Sequence, residues 1–461
     1  MTHRHTDCRN VPILEGLALN RKTSRVLIMG LGKTGLSIAR FLSRLDIPFA
    51  ITDTRERPPL LAELREDFPD AAVFLGGVDS AALSAASHLI VSPGLSLEMP
   101  EIRQAKRMGI PVFGDLDLFA SAVNAPVIAI TGANGKSTVT TLVGLMAEAD
   151  GRKVRVGGNL GVPMLDLLDE QTELYVLELS SFQLERSRLF RADAATVLNI
   201  SPDHMDRYPD IASYAAAKQR IYTGQGTMVL NREDPWVAAM QETGRITRWF
   251  GLGGDAVDYG VAFLEGEEWI ITPSSGPLLK SRELRLQGRH NLANALAAIA
   301  LADAAGVSAS AMIQALKQFS GLDHRMQWVA EIDQVVWIND SKATNVGACL
   351  AALQGLDNKA VLIAGGDGKG ADFSILREAV ACKVRSAVLM GKDAPLLEQA
   401  LKDVVQTVRV DNMKQAVKMA RSLAQRGDTV LLAPACASLD QYRDFQERGR
   451  LFTDEVRSLC A

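Results

Sequence analysis

Val127-Ile-Ala-Ile-Thr131-Gly-Ala-Asn-Gly-Lys-Ser-Thr138 is the stretch that decides how this chain folds. An apolar run ends at a glycine loop, and the loop opens into Val139, Leu142, Val143 and Met146, the i, i+3, i+4, i+7 spacing of one helix face. A strand, a glycine turn and a helix in that order present backbone N–H groups at a helix start, where they and the helix dipole favour phosphate. Lys136 can neutralise the β- and γ-phosphates of a nucleotide, and the Ser137 hydroxyl can reach Mg²⁺. Gly132, Ala133, Asn134, Gly135, Lys136, Ser137 and Thr138 therefore form a candidate ATP loop. Its spacing, G-x-x-G-K-S, is shorter than the G-x-x-x-x-G-K-[ST] of most P-loops.

Working outward, buried-strand runs alternate with helical patterns, the signature of parallel sheets wrapped by helices. Upstream, Arg25-Val-Leu-Ile-Met29 enters Gly30-Leu-Gly-Lys-Thr-Gly35, and the chain returns as Phe49 to Thr52 ending at Asp53, which satisfies a dinucleotide fingerprint. Such a loop recognises phosphates and not nicotinamide, so another nucleotide diphosphate fits it equally well. Downstream, Leu174 to Leu179 and Ala194 to Ile200 are further strand candidates. Between about Met228 and Leu286 the texture changes to short β-like runs with turns, which reads as an antiparallel appendage, and a helix from about Leu292 to Ala305 follows. Past Gly321, strands at Val335–Ile338, Ala360–Ile363, Ala387–Met390 and Thr429–Leu432 build a second Rossmann-like unit. The expected fold is α/β in three domains. A flexible extension at 1–24 precedes a Rossmann-like domain at 25–114, a central P-loop ATPase domain at 115–321 that carries the small antiparallel appendage, and a C-terminal Rossmann-like domain at 322–461.

Composition agrees with this plan. The chain has 461 residues, 47% apolar and 23% charged, and at about 150 residues per domain that suits three. Fifty Lys plus Arg against 54 Asp plus Glu leave a net charge of −4, so no broad field draws nucleic acid or an anionic membrane. The five cysteines are scattered without a C-x-x-C pair, as in reduced cytosolic proteins. No apolar run reaches the roughly 18 residues of a membrane helix; the nearest, Ala295 to Val307, is interrupted by Asp303. The first twenty residues lack the apolar core of a signal peptide, and His3 and His5 read as part of a frayed terminus. A cytoplasmic monomer acting on small molecules is expected, with no nucleic acid and no membrane insertion.

Other polar clusters sit where α/β sheets place ligands, at the C-terminal ends of strands. Glu178 in Glu178-Leu-Ser-Ser-Phe-Gln183 can hold the Mg²⁺ that accompanies ATP. His204, in Asn199-Ile-Ser-Pro-Asp-His-Met-Asp-Arg207, is by itself as readily structural as a ligand, and Lys218 alone reads as a solvated helix lysine. His290 to Asn294, His324-Arg325 and Asn339 to Asn345 add amide, guanidinium, carboxylate and ammonium groups, and Gly365-Gly-Asp-Gly-Lys-Gly370 offers Lys369. Cys436 has no histidine within its unit except His324 to activate it as a nucleophile.

In this order TGANGKST, ELSSFQL, NISPDHMDRY, GRHNLANALAA, INDSKATN, GGDGKGADFS and LLAPACASLDQY resemble the Mur ligases of peptidoglycan synthesis, from about Arg25 to the C-terminus. ELSSFQL and the CASLDQ segment resemble in particular the branch that adds D-glutamate, and the D-N-P-R-like element of the diaminopimelate- or lysine-adding relatives is not seen. The resemblance implies that ATP phosphorylates the L-alanyl carboxylate of UDP-N-acetylmuramoyl-L-alanine. The D-glutamate amine then attacks the acyl phosphate, and a tetrahedral intermediate expels phosphate.

The resemblance also implies residue roles. Asn294, Arg325 and Asp340 join the loop in holding ATP, Ser137 with Glu178 marks one Mg²⁺ site, and His204 marks a second. Lys218 aligns with the lysine that this family carbamylates with CO₂, an anionic oxygen donor beside metal, which reverses its reading as a solvated lysine. Lys136, Glu178, His204, Lys218 and Lys342 form the implied catalytic set. Lys33, Thr34, Asp53, Thr54, Arg55, Ser92, Gly94 and Asn159 fall on the UDP-substrate site, and Thr344, Lys369, Ser438, Leu439 and Phe445 on the D-glutamate site. Lys33 occupies a position expected to be apolar in relatives. A folylpolyglutamate synthetase-like ligase is the alternative, because it resembles the second and third units and needs no uridine site in the first. A dehydrogenase would ignore the P-loop, and a P-loop binding protein would need no acceptor pocket.

Overall fold

The computed structural model describes residues 15–253, 257–286, 288–356 and 358–459. Its first sheet is parallel throughout: β1 (Val26–Met29), β2 (Phe49–Asp53), β3 (Ala72–Leu75), β4 (His88–Val91) and β5 (Val112–Phe113) lie in the order β3-β2-β1-β4-β5. Residues of β1 and β4 are buried on both faces, which is why β1 and Leu89–Val91 of β4 read as apolar runs. The strand order reverses between β1 and β4, so the loops that follow these two strands meet at one crevice. There the Ser92 hydroxyl donates to the Gly30 carbonyl at 2.9 Å. A Cβ on Gly35 would stand 2.0 Å from the same carbonyl, so only glycine lets the helix Lys33–Arg44 start this close to β1.

The second sheet has β6 (Val127–Thr131), β7 (Val154–Gly158), β8 (Leu174–Glu178), β9 (Ala194–Val197), β10 (Thr227–Asn231) and β11 (Thr247–Phe250), all parallel, in the order β11-β10-β9-β6-β8-β7. This corrects the appendage. Residues 228–250 do not belong to it, because β10 is buried along Met228–Leu230 and extends the central sheet with β11. Only β12 (Gly260–Leu264), β13 (Glu267–Thr272) and β14 (Gly276–Lys280) form the antiparallel sheet. The short helix Pro235–Ala238 and the half-exposed edge strand β11 give the stretch its broken texture. One face of the central sheet is covered by Lys136–Ala149, Arg289–Ala304 and Ala309–Gln318, where Val139, Leu142, Val143 and Met146 pack against Ala295–Ala302. The longest apolar run is therefore a core helix. Among the described residues no helix is long and apolar enough to cross a membrane.

The third sheet contains β15 (Gln327–Ile332), β16 (Val335–Asn339), β17 (Ala360–Gly365), β18 (Val384–Met390), β19 (Gln406–Arg409) and β20 (Thr429–Leu432) in the order β15-β16-β20-β17-β18-β19. It is parallel apart from the edge strand β15.

Residues 15–24 differ from the flexible extension expected of them. Leu17 and Leu19 are 2% and 1% exposed within a core shared by the first and second sheets, and the Leu17 carbonyl lies 3.0 Å from His88 Nε2. Two apolar side chains pin this segment where charge and turn residues alone suggest fraying. His3, His5 and the rest of residues 1–14 lie outside the described residues.

Candidate active site

The loop after β6 is built for an anion. Gly135, at φ +83°, closes it directly before the helix Lys136–Ala149, and a Cβ there would stand 2.4 Å from Asn294 Oδ1. The end of β9 holds the loop in shape: Ala133 N–H donates to the Asn199 carbonyl at 3.0 Å and Asn134 N–H to Asn199 Oδ1 at 2.8 Å. Lys136 folds back over it, donating to the Gly132 and Ala133 carbonyls at 2.8 Å each. Ser137 donates to Glu178 Oε2 at 2.5 Å and accepts from Arg325 Nη2 at 2.6 Å, while Asn159 Nδ2 donates to Glu178 Oε1 at 2.6 Å. Burial alone would raise the Glu178 carboxyl, but Lys136, Ser137 and Asn159 outweigh it and keep it ionised.

Lys218 lies on the helix Ile211–Gln219 and is 2% exposed. Its amine donates to the Gly132 carbonyl at 2.9 Å and to Thr131 Oγ1 at 3.3 Å, and lies 4.6 Å from the Tyr214 ring centroid. Burial, reinforced by repulsion from Lys136, holds its pKa well below the usual lysine range. His204 has φ +58° and packs its ring edge-on against Phe182 at 4.8 Å. Burial brings its pKa down to about 4, so the imidazole is neutral at neutral pH and keeps a lone pair.

Two cavities meet at the loop. One, about 370 Å³, passes from Gly135 and Thr138 between Asn294, Arg325 and Asp340 to the apolar Leu198, Phe250 and Leu350, a shape for a base and ribose. Burial there pushes the Asp340 carboxyl up to about 6, against the pull of the Met326 N–H and Arg325. The other, about 260 Å³, gathers Lys136, Ser137, Glu178, His204, Lys218, Lys342, Thr344 and Lys369. Glu178 and Ser137 are the hard oxygen donors that Mg²⁺ takes. No group of three His, Cys, Asp or Glu side chains able to hold a metal occurs among the described residues. Mg²⁺ does not need one, since it keeps several waters and binds through one or two carboxylates plus substrate phosphates.

The remaining candidates divide. In the first unit Asp53 accepts from Leu31 N–H at 2.7 Å and pairs with Arg55 Nη2 at 2.7 Å; Ser92 is buried, whereas Lys33, Thr54 and Gly94 are exposed and Thr34 half-buried beside the same crevice. Asn159 stands apart from these, on Glu178. Phe445 lies beneath Lys342, whose Nζ is 4.1 Å from its ring centroid. Ser438 is buried and Leu439 is 73% exposed, and neither lines the two cavities at the loop. Cys436 is buried with its thiol pushed up to about 12, which leaves no thiolate for nucleophilic attack.

Two residues to which the sequence argument gives no individual role stand at the centre. Asp203 pairs with Lys369 at 2.9 Å, and Asn345 Nδ2 donates to Asp203 Oδ2 at 3.1 Å and to Asn134 Oδ1 at 3.3 Å. The signal for Asp203 was its place beside His204 after a strand end. Asn345 looks like a helix cap, and it is also that, accepting from Ala348 N–H at 2.8 Å.

Family models match three successive stretches: the Mur ligase MurD-like N-terminal domain at 24–114, the Mur ligase middle domain at 130–302 and the Mur ligase glutamate ligase domain at 324–436. A UDP-N-acetylmuramoylalanine–D-glutamate ligase from Methylococcus capsulatus is 64% identical over 438 residues, 95% of either chain. Its counterpart from Nitrosococcus oceani is 54% identical over 94% of this chain and 97% of its own. In fold the chain is similar to a UDP-N-acetylmuramate–alanine ligase from Thermotoga maritima, with a TM-score of 0.59 and 19% identity over 94% of this chain and 99% of that one. A pseudomurein peptide ligase type C from Methanothermus fervidus gives a TM-score of 0.61 at 17% identity, over 95% of this chain and 100% of that one. With relatives this similar along nearly its whole length, the chain belongs to the Mur ligase family.

Proposed function

We propose that this protein joins D-glutamate to UDP-N-acetylmuramoyl-L-alanine at the expense of ATP, in peptidoglycan precursor synthesis. The observation that carries the reading is the convergence of Lys136, Glu178, Lys218, Arg325, Lys342 and Lys369 on one cavity between the second and third units. Those groups suit a phosphoryl transfer followed by an acyl transfer, both of which concentrate negative charge at one place. The reading includes a monomer, and five scattered cysteines without a C-x-x-C pair suit the cytoplasm.

In this reading Lys136 leaves the Gly132 and Ala133 carbonyls for the β- and γ-phosphates of ATP. Asn294 and Asp340 hold the nucleoside side, with Arg325 between base and phosphate. Glu178 and Ser137 would hold one Mg²⁺ and His204 would stand beside a second, and the metal would supply neutralisation of the phosphate charge. The buried Lys218 amine, unprotonated, attacks the carbon of CO₂ and loses a proton, leaving an anionic carbamate as a further oxygen donor. The first crevice, with Lys33, Thr34, Asp53, Thr54, Arg55, Ser92 and Gly94, takes the uridine diphosphate, and Asn159 lies on the way to Glu178. Lys342 stays cationic beside the acyl phosphate, and Lys369 with Thr344 meets the D-glutamate carboxylates, with Ser438, Leu439 and Phe445 around them.

Phosphate release by the purified protein tests this, with ATP, UDP-N-acetylmuramoyl-L-alanine and one amino acid at a time. Release is expected with D-glutamate alone. Release with L-glutamate or diaminopimelate in its place overturns the substrate assignment, and release driven by a folate with L-glutamate supports the alternative ligase.

A further inference from the structure

Arg186 and Arg207 of the second unit reach into the first unit and meet at one carbonyl. Arg186, whose side chain is 1% exposed, donates through Nη2 to the Leu95 carbonyl and through Nη1 to the Phe182 carbonyl. Arg207 donates through Nη2 to the same Leu95 carbonyl at 3.2 Å and through Nη1 to the Gly94 carbonyl at 3.3 Å. Its guanidinium lies 4.5 Å from the centroid of the Phe182 ring, which in turn packs against His204. One carboxylate, Glu185, serves both cations: Oε1 is 2.8 Å from Arg186 and 3.9 Å from Arg207, and Oε2 accepts from Tyr208 at 3.0 Å. The loop Ser92–Leu95 is thus tied through two guanidiniums to the helix Ser181–Leu184, whose Ser181 and Phe182 line the catalytic cavity.

Gluing the two units together does not call for this arrangement. They already share an apolar core, and buried arginines hold surfaces together no better than apolar side chains of similar size. Directional bonds to successive carbonyls fix something a greasy contact does not, the orientation of the peptide planes at Gly94 and Leu95.

We propose that Arg186 and Arg207 are positioning residues that hold the Ser92–Leu95 loop in register with the catalytic cavity, and so set how the UDP-linked substrate presents its carboxylate. The inference rests on the reading of Ser92 and Gly94 as contacts to that substrate. Arg207→Ala, Arg207→Lys, Arg186→Met and the Arg186→Met/Arg207→Ala double variant test it, with thermal unfolding as the check on folding. Binding of UDP-N-acetylmuramoyl-L-alanine is measured calorimetrically without ATP, and KM is measured for all three substrates. Loss of a charge-assisted bond at this seam is expected to raise Kd and KM for the UDP-substrate about tenfold, with KM for ATP and D-glutamate within about twofold of wild type. Arg207→Lys should recover part of the loss, and the double variant should lose less than the product of the singles. Should Arg186→Met fail to fold, Arg207→Ala, with a side chain 22% exposed, carries the test alone. Folded variants with an unchanged KM for the UDP-substrate, or with all three KM values raised together, overturn the proposal. A wild-type protein that does not bind the UDP-substrate overturns the reading of the first unit itself, which is a distinguishable failure.

Discussion

Lys369 Nζ lies 2.9 Å from Asp203 Oδ1, and this ion pair joins the third unit to the second in the wall of the cavity that gathers Lys136, Glu178 and Lys218. Burial alone would raise the Asp203 carboxyl, but Lys369 and His204 outweigh it and bring it from 3.8 down to about 2. That difference favours the charged form in the folded protein by about 2 kcal/mol. Because the folded pKa is the lower one, the stabilisation is complete above pH 3.8 and is lost as pH falls through about 2. At neutral pH His204 is uncharged and Lys369 remains as the main cationic partner, so Asp203→Asn should cost up to about 2 kcal/mol there, and wild type and variant should converge on acidification. Denaturant unfolding at pH 7 and near pH 2 checks this, and a gap that persists at low pH contradicts it.

Lys342 titrates within the working range. Burial, with repulsion from Arg325, lowers its ammonium to about 8. If its positive charge is what the acyl phosphate needs, kcat should fall as pH rises through 8, by roughly tenfold at one pH unit above that pKa. Lys342→Arg keeps a cation at every accessible pH and should shift the fall upward, even at a lower maximal rate. A wild-type profile that stays flat up to pH 9.5 would remove Lys342 from this role.

How far the sequence could be read depended on burial and on spatial neighbours. β1, β6 and β17 are sealed on both faces, so their apolar runs stand out, and the glycine loops after them mark the ligand ends of the sheets. β3, β11 and β19 sit at sheet edges with half-exposed residues, so their patterns are diluted, and the two-residue β5 is too short to show one. In the site, the turn Gly132–Thr138 was legible because its geometry is local: one loop, one helix end. Asp203 and Asn345 were not, because each gains its meaning from a partner more than 140 residues away, Lys369 for the first and Asp203 for the second. Asn159 came only from the family resemblance, as a contact to the UDP-substrate, and its bond to Glu178 comes from β7 and β8 lying side by side.

Lys218 offers a chemical test that does not depend on turnover. An amine this deeply buried, with its proton disfavoured, is ready to add to CO₂. Protein equilibrated with ¹³C-bicarbonate should show one carbamate carbon resonance that disappears in Lys218→Ala. The same variant should lose activity by at least about a hundredfold, with partial recovery on addition of short carboxylic acids that fill the vacated space. An unimpaired Lys218→Ala enzyme would exclude the lysine from the site.

Gly135 allows the geometric claim about the ATP loop to be separated from backbone strain. At φ +83° an alanine costs about 1–2 kcal/mol, and its Cβ would stand 2.4 Å from Asn294 Oδ1 and 3.3 Å from Leu198 Cδ1. Asn294 must then move out of the nucleotide cavity, so Gly135→Ala should weaken ATP binding at least tenfold beyond any loss of stability. Gly151 supplies the control: its φ is +82°, but a Cβ there meets nothing within 4 Å. Gly151→Ala should lower the unfolding temperature by a similar amount and leave ATP affinity unchanged. If the UDP-substrate binds in the first unit, as proposed, its affinity should be the same in both variants. Calorimetric titration of each ligand checks all three statements, and equal ATP affinity in the two variants would show that the contact with Asn294 does not shape the nucleotide site.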